Sequence, residues 1–339
     1  MVSKIKKGLI FAKKSIAQIY QPVCKPVVWP LVFNSLQRIP KSGLNLNVMS
    51  FNIRRGTARD GKNHWIFRRN RVRELLNYYR PDVLGLQEAL GFQISEMRTM
   101  LPGYEKVGGG SLGGSKGLFN AIFYDAARFF PSEEGTFWFS DKPDIRGSRG
   151  WGNILPRTCT WARLIEKKSG QAFYFYNVHL DHISQRSRKN SVVFLTQFIH
   201  SRSSPDPFVL TGDFNAREKS APIQYLKGKK PLRIRDKGSL SNPEPLMDTF
   251  RVRYPNGRNV ATFHGFRKHF FRFKLDYIFV PSSARVQDAI IIQPQWEKCY
   301  PSDHFPLFAN IDLSVISASA NSDAFIDEDK KDMADEKVR

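Results

Sequence analysis

Asn52, Glu88, His179, Asp213, Asn215, Asp276, Asp303 and His304 share one placement: each stands where a short apolar run turns polar. Asn52 closes MSFN, Glu88 closes VLGLQE, and His179 follows YNV; Asp213 and Asn215 follow FVLTG, Asp276 precedes YIFV, and Ser302-Asp303-His304 opens the last run. A strand end carries the chain from core to surface, so polar residues there can converge on one cleft. Residues two apart in a strand point to the same face, which pairs Asn177 with His179 and Asp213 with Asn215. Taken singly, a carboxylate after a strand is an ordinary loop-entry residue, an Asp-His pair a surface hydrogen bond, and GDFN a turn. Taken together and in order, they supply carboxylates for a hard divalent cation, a histidine with an aspartate to orient it, and amide donors for an anionic oxygen. Metal-assisted phosphoryl hydrolysis needs those parts.

The elements that would position them are short and strand-rich. LNLNVMSFN, DVLGLQE, NAIFYD, CTWARLIE, AFYFYNVHL, PFVLTGDFN, KLDYIFV and PLFANIDL are apolar runs of strand length, bounded by Gly, Pro, Asn and Asp. Helical spacing is predicted for residues 67–79, 91–100, 186–200 and 221–227. Strands outnumber helices, which favours sheets packed on each other with helices outside over a regular βαβ alternation. The Gly-rich stretch GGGSLGGSKG (108–117) lacks the spacing and GK[ST] ending of a P-loop, so it reads as a flexible loop beside the cleft.

With 339 residues, 41% of them hydrophobic and 25% charged, the chain has ordinary globular proportions. Collagen, coiled coil and polytopic membrane protein are excluded by the lack of G-X-Y, heptads or long apolar runs. The charge is unusual: 53 Lys+Arg against 31 Asp+Glu, a net +22, with eleven basic and no acidic residues before Asp60. Such a surface attracts polyanions: nucleic acid, anionic lipid or phosphorylated small molecules. Three dispersed cysteines (Cys24, Cys159, Cys299) without a CxxC argue against a disulfide framework, a disulfide-linked partner or a zinc site; they suit a reducing, intracellular and most simply cytoplasmic setting. Residues 1–43 read as a basic segment and linker in which residues 1–20 have the spacing of a basic amphipathic helix, suited to a membrane surface or to targeting. Residues 44–313 form one body, and 314–339 an acidic, disordered tail.

At these residues the chain resembles the endonuclease/exonuclease/phosphatase superfamily of metal-dependent phosphoesterases. The matching motifs are SFNI, GLQEA, NVHLDH, TGDFNA, LDYIFV and SDHFP, in order over essentially all of 44–313. The resemblance is closest to the bacterial-type branch, through GTFW (135–138), PRTCTWA (156–162) and TFHGF (262–266). It implies an α/β fold: a four-layer sandwich of two mixed sheets face to face, helices outside, the site at one end.

The resemblance and the chemistry together assign roles. Glu88 is expected as the principal ligand of Mg²⁺ or Mn²⁺, with Asn52 as a neutral oxygen donor and Asp303 contributing from the other side. His304 would act as general base or as electrostatic partner of the phosphate, oriented by Asp276, and Asp213 would position or deprotonate the water; either Asp213 or His304 could be the base. Asn215 and His179 would donate to the phosphoryl oxygens, and Arg157 and His264 are expected to grip a substrate phosphate. One position departs. Where related sequences of this branch place a glutamate before the IFY run, this chain has Leu118, which implies a difference in substrate recognition or in a second metal site.

Three functions follow from these readings. The first is a phosphodiesterase or nuclease, with the basic stretches 68–73 and 267–274 on the polynucleotide and interleaved aromatics (Phe266, Phe270, Phe271, Phe273) on its bases. The second is a phosphatase or phosphodiesterase acting on a phosphoinositide, a sphingolipid or a small phosphorylated metabolite, held at a membrane through residues 1–20. The third is a binding module that kept the fold without the chemistry.

Overall fold

The strand Asn45–Asn52 (β1) sets the pattern for the molecule, because its two faces read differently. Leu46 and Val48 belong to one buried apolar cluster, and Met49 and Phe51 to another. A strand apolar on both faces is covered on both. In the computed structural model, which describes residues 44–235, 237–258, 260–267, 272–293 and 300–314, two six-stranded sheets meet this demand.

The first sheet contains β1, Val83–Ala89 (β2), Tyr104–Val107 (β3), Phe119–Asp125 (β4), Arg285–Ile291 (β13) and Leu307–Asp312 (β14), in the order β13-β14-β1-β2-β4-β3. The second contains Phe129–Trp138 (β5), Thr158–Glu166 (β6), Ala172–His179 (β7), Phe208–Asp213 (β8), Leu246–Asp248 (β11) and Asp276–Pro281 (β12), in the order β11-β12-β8-β7-β6-β5. A separate hairpin pairs Leu232–Ile234 (β9) with Gly238–Leu240 (β10). Each large sheet has one parallel pair at its centre, β1 with β2 and β7 with β8, and antiparallel neighbours elsewhere. The sheets pack face to face, β1 over β8 and β2 over β7.

Helices cover the outer faces. Trp65–Tyr79 (α1) and Gly91–Met100 (α2) bury Val72, Leu75, Leu76, Ile94 and Met97 against Met49, Phe51, Leu84, Leu86 and Phe123 of the first sheet. Gln185–His200 (α3) and Ala221–Leu226 (α4) bury Val192, Leu195, Ile199 and Ile223 against Tyr174, Tyr176, Phe208 and Leu210 of the second. A short helix, Thr249–Arg253 (α5), follows β11. The result is the expected four-layer α/β sandwich. Each fully buried aliphatic or aromatic side chain contributes about 1.5–3 kcal/mol, so these three apolar layers supply the bulk of the stabilisation.

The predicted helices agree with α1 to α4 within two residues at each end. β3, β5, β9, β10, β11, β13 and α5 had no counterpart in the sequence pattern. β5 and β13 expose alternate residues, and β5 carries Pro131, Glu133, Glu134 and Gly135, a composition tolerated on an edge strand but unlike a buried run. Residues 108–118 are ordered by Gly110 N–H to Gly114 O and Leu112 N–H to Lys116 O, and close as a tight hairpin rather than a loose loop. Residues 1–43, with the predicted membrane-contacting stretch, the acidic tail from 315, Phe270, Phe271, Cys24 and Cys299 lie outside the described residues. Cys159 is a buried free thiol, and no described helix is long and apolar enough to cross a membrane.

Candidate active site

The inward-facing rows of the central strands decide what reaches the site. On β1 the row is Leu46, Val48, Ser50, Asn52; on β7 it is Phe173, Phe175, Asn177, His179; on β8 it is Val209, Thr211, Asp213. On β2 it is Val83, Gly85, Gln87, after which the pairing with β4 slips between Leu86 and Ala89 and Glu88 takes φ +65°. That left-handed residue costs about 1 kcal/mol or more for a non-glycine side chain, and it turns Glu88 to the face its neighbour Gln87 would own. β12 runs the opposite way and brings in Asp276, whose Cα is paired in register with Asp213.

Asn52 links the two sheets. Its amide Nδ2 donates to Glu88 Oε1 at 3.2 Å and to Asp213 Oδ2 at 3.1 Å, while its Oδ1 accepts from Arg54 N–H. Asp213 Oδ1 accepts from Asn215 N–H at 2.9 Å, and its Oδ2 lies 3.6 Å from His179 Nε2 and 3.8 Å from His304 Nε2. His304 donates Nδ1–H to Asp276 Oδ2 at 2.8 Å, the orienting bond expected from the sequence. Ser302 donates to Asn52 O and to Asp303 Oδ1, and Arg54 Nε stands 3.6 Å from Asp303 Oδ2. Asn215 is half-buried at φ +47° and donates to Leu180 O. The structure therefore brings together Asn52, Glu88, His179, Asp213, Asn215, Asp276, Asp303 and His304.

The charges are strongly coupled. Burial opposes a charge on His304, but Asp276, Asp213 and Asp303 hold its imidazolium up to about 10. Asp213 is pushed up to about 7, by burial first and then by the carboxylate of Asp276. Glu88 goes the other way: burial resists ionisation, yet the His304 imidazolium, Arg54 and the Arg55 amide hold it below the usual carboxylate range. Burial and Arg157 hold His179 well below the usual imidazole range, so it is a neutral ring. Burial also raises Asp303.

Four carboxylates in one buried cluster fit a divalent cation. Asp276 Oδ1 is buried without a hydrogen-bond partner, and two of the four acids are raised by their surroundings. Asp213, Asp276 and His304 also bring potential ligand atoms within 4.8 Å of one another. Within that trio, however, His304 is a cation bonded to Asp276. A hard cation is better served by the oxygen-rich side of the cluster, Glu88 and Asp303.

Arg157 and His264 are placed differently from the rest. Arg157 is buried; it pairs with Asp181 at 3.3 Å, contacts His182 Nδ1 at 2.7 Å and lines a small cleft with Ser111, Leu118, Asn120, Thr158 and His179. Leu118 thus sits beside His179 on the cleft wall. His264 gives its backbone N–H to Asp303 O, but its ring stacks on Phe305 at 4.2 Å and on Tyr300 at 4.3 Å, and burial holds it down to about 3. Both nitrogens of this neutral, aromatic-enclosed ring are buried without a hydrogen-bond partner among the described residues.

Arg68 corrects an expectation. It belongs to the basic stretch assigned to polynucleotide binding, yet it is only 2% exposed. Its guanidinium donates to the carbonyls of Ile53, Arg54 at 2.8 Å, Asn63 at 2.9 Å and Pro301 at 2.9 Å. It ties the segment after Asn52 to the segment before Asp303. An arginine in a basic helix reads as solvated; only its position at the start of α1, one turn after the buried Trp65, hinted otherwise.

Known proteins agree with this architecture. A family model described as the endonuclease/exonuclease/phosphatase family matches residues 49–304. An uncharacterised protein of Acanthamoeba polyphaga mimivirus is 32% identical over 187 residues, 51% of this chain and 68% of that protein. Among solved structures, an endonuclease/exonuclease/phosphatase from Bacteroides vulgatus is 27% identical with a TM-score of 0.70, covering 79% of this chain and 99% of that one. A mannosyl-6-phosphatase from Bacteroides thetaiotaomicron is 30% identical with a TM-score of 0.66, over 78% and 99%. A family match spanning three quarters of the sequence, on this fold, settles the kinship: the chain belongs to the endonuclease/exonuclease/phosphatase family.

Proposed function

We propose that the chain is a divalent-metal-dependent hydrolase of phosphate esters, with residues 44–313 as its catalytic domain. The carrying observation is the junction at Asn52, where one amide bridges Glu88 of the first sheet and Asp213 of the second. Glu88 and Asp303, with Asn52 beside them, would hold Mg²⁺ or Mn²⁺. Bound there, such an ion neutralises developing phosphoryl charge and acidifies water.

The chain's own residues divide the remaining work. Asp213, pushed up to about 7, is matched to accepting a proton from water near neutral pH. His304, a cation fixed by Asp276, faces Asp213 and stabilises negative charge on the phosphoryl oxygens. This reading gives the base role to Asp213 and the electrostatic role to His304. His179 and Asn215 border the same space as neutral donors.

The nuclease reading keeps the support of the net charge but loses that of Arg68, while Arg69 pairs with Glu96 and Arg71 with Glu74. The similarity to a sugar-phosphate phosphatase favours adding phosphomonoesters to any substrate panel. The test is hydrolysis of a bis-aryl phosphodiester, sugar phosphates, DNA and RNA with Mg²⁺, Mn²⁺ or EDTA, with Glu88→Ala as control. Turnover that needs the metal and disappears in Glu88→Ala is expected. Equal rates in EDTA, or equal rates in the variant, would overturn the proposal.

A further inference from the structure

Beyond hydrolysis itself, the wall of the cleft carries a surface that the chemistry does not use. Leu112, Ile145, Ile154, Leu155 and Ile183 are between 42 and 60% exposed, five of the ten exposed large apolar side chains among the described residues. All five stand on three loops: 108–118 before β4, 139–157 between β5 and β6, and 180–184 after β7. Those loops are joined. A Cβ at Gly147 would lie 3.6 Å from Leu112 Cδ2, and Ser184 donates to Trp151 O at 3.0 Å; within the middle loop Arg149 donates to Ile154 O at 3.1 Å. Ser111, Leu118, Pro156 and Arg157 line the cleft from two of the same loops, where Leu112 follows Ser111 and Leu155 precedes Pro156 in the chain.

The rim is net positive. Lys116, Lys142, Arg146, Arg149 and Arg186 are exposed on or next to it, against exposed Asp141 and Asp144. None of the five cations has an ion pair among the described residues. The exposed apolar groups are aliphatic, and the one tryptophan here, Trp151, is half-buried against the second sheet's core. A polynucleotide surface is made of cations and stacking rings; isolated leucine and isoleucine tips ringed by lysine and arginine suit acyl chains beneath anionic headgroups.

We infer that this rim docks the cleft mouth onto an anionic lipid bilayer. The inference needs neither residues 1–20 nor turnover.

The test is co-sedimentation of the full chain with phosphatidylcholine vesicles, with and without phosphatidylserine, compared with an Ile145→Ser/Ile154→Ser/Ile183→Ser variant and with Lys142→Glu/Arg146→Glu. Binding to the phosphatidylserine vesicles is expected, weakened about tenfold or more by the triple serine variant and abolished by high salt with the charge reversal. Hydrolysis of a soluble bis-aryl phosphodiester should stay unchanged in both variants, so a failure of docking and a failure of the hydrolase reading give different patterns. Vesicle binding that survives the triple variant would overturn the inference. So would a triple variant that loses oligonucleotide binding or a dimer seen by light scattering while keeping its vesicle affinity.

Discussion

The layer between the two sheets has two ends made from the same strands, and they are built on different principles. At one end Leu46, Val48, Val83, Phe173, Phe175, Val209 and Val280 form a continuous hydrocarbon core. One step along the rows of β1, β2, β7 and β8 the side chains turn polar and bond across the sheets, while on β12 the apolar Ile278 lies in register with Thr211. Gln87 Nε2 donates to Asn177 Oδ1 at 2.7 Å and to Ser50 Oγ at 3.3 Å; Thr211 donates to the same Asn177 oxygen at 3.2 Å; and Asn177 Nδ2 donates to the carbonyls of Leu86 and Ala121. Ser50, Gln87, Asn177 and Thr211 are all fully buried, and each sits one or two residues before Asn52, Glu88, His179 or Asp213. The apolar end needs only volume and would tolerate many side chains. The polar tier needs fixed partners, since a half-satisfied buried network is costly, and so it fixes the relative register of the two sheets just below the site. Stability and positioning are therefore separated along the strands.

Substitution at the two ends should separate the two properties. Asp213→Ala is expected to lower turnover by about 10²–10⁴, with His304→Ala losing a comparable factor through charge stabilisation, while the folded fraction stays high. Leu46→Ala, at the far end of the row of Asn52, should instead cost about 2–5 kcal/mol of stability with the rate per folded molecule unchanged. Paired denaturant titrations and single-turnover rates check this. If Leu46→Ala slows the chemistry as much as Asp213→Ala does, the two ends are not independent.

Asn177→Leu tests the tier between them. It keeps the volume but removes the shared acceptor of Gln87, which retains Ser50 Oγ and Gly85 O, and of Thr211, which retains Tyr176 O, and takes the Asn177 amide from the carbonyls of Leu86 and Ala121, a loss of about 1–3 kcal/mol. A tenfold or larger fall in kcat is expected beside it, because Gln87 and Thr211 precede Glu88 and Asp213. Gly85→Ala is the milder version. A Cβ there would overlap the Thr211 hydroxyl and stand 2.8 Å from Asn177 Oδ1, an overpacking cost of about 1–3 kcal/mol. A variant that loses stability without any loss of kcat would reduce the tier to ordinary core.

How much of this was legible beforehand follows from which signals are local. The strand-end residues could be read because a polar residue closing an apolar run is visible within one segment, and six such segments in order carried the family resemblance. The tier could not. Ser50, Gln87 and Thr211 are unremarkable in their own strands and acquire meaning only through Asn177, which is 90 residues from Gln87 and 34 from Thr211. Arg68 was misread for the same reason: its acceptors are backbone carbonyls at 53, 54, 63 and 301, and carbonyls leave no mark on a sequence. The enclosure of His264 was equally hidden, because its aromatic neighbours Tyr300 and Phe305 lie beyond its own motif.

The smallest effect expected at the polar end is in stability, and it runs against intuition. Asp213 is held up to about 7 in the folded chain by burial and by Asp276, against about 3.9 when unfolded. Between those values the folded chain keeps a proton that the unfolded chain releases, so metal-free stability falls as pH rises from about 4 to about 7 and is level above. Asn at this position cannot ionise and escapes that fall. In EDTA, Asp213→Asn should therefore gain on the parent by a few degrees in Tm between pH 5 and pH 8, while losing turnover. The readout is the change of the difference with pH, so any constant offset from turning a second amide toward Asn52 Nδ2 cancels. Added Mg²⁺ or Mn²⁺ should narrow that difference, because a cation held by Glu88 and Asp303 next to Asp213 favours its ionised form. A Tm difference that stays constant across this range would mean that Asp213 is ionised at no cost to the fold, and the contrast between a stabilising end and a working end would then fail at its most exposed point.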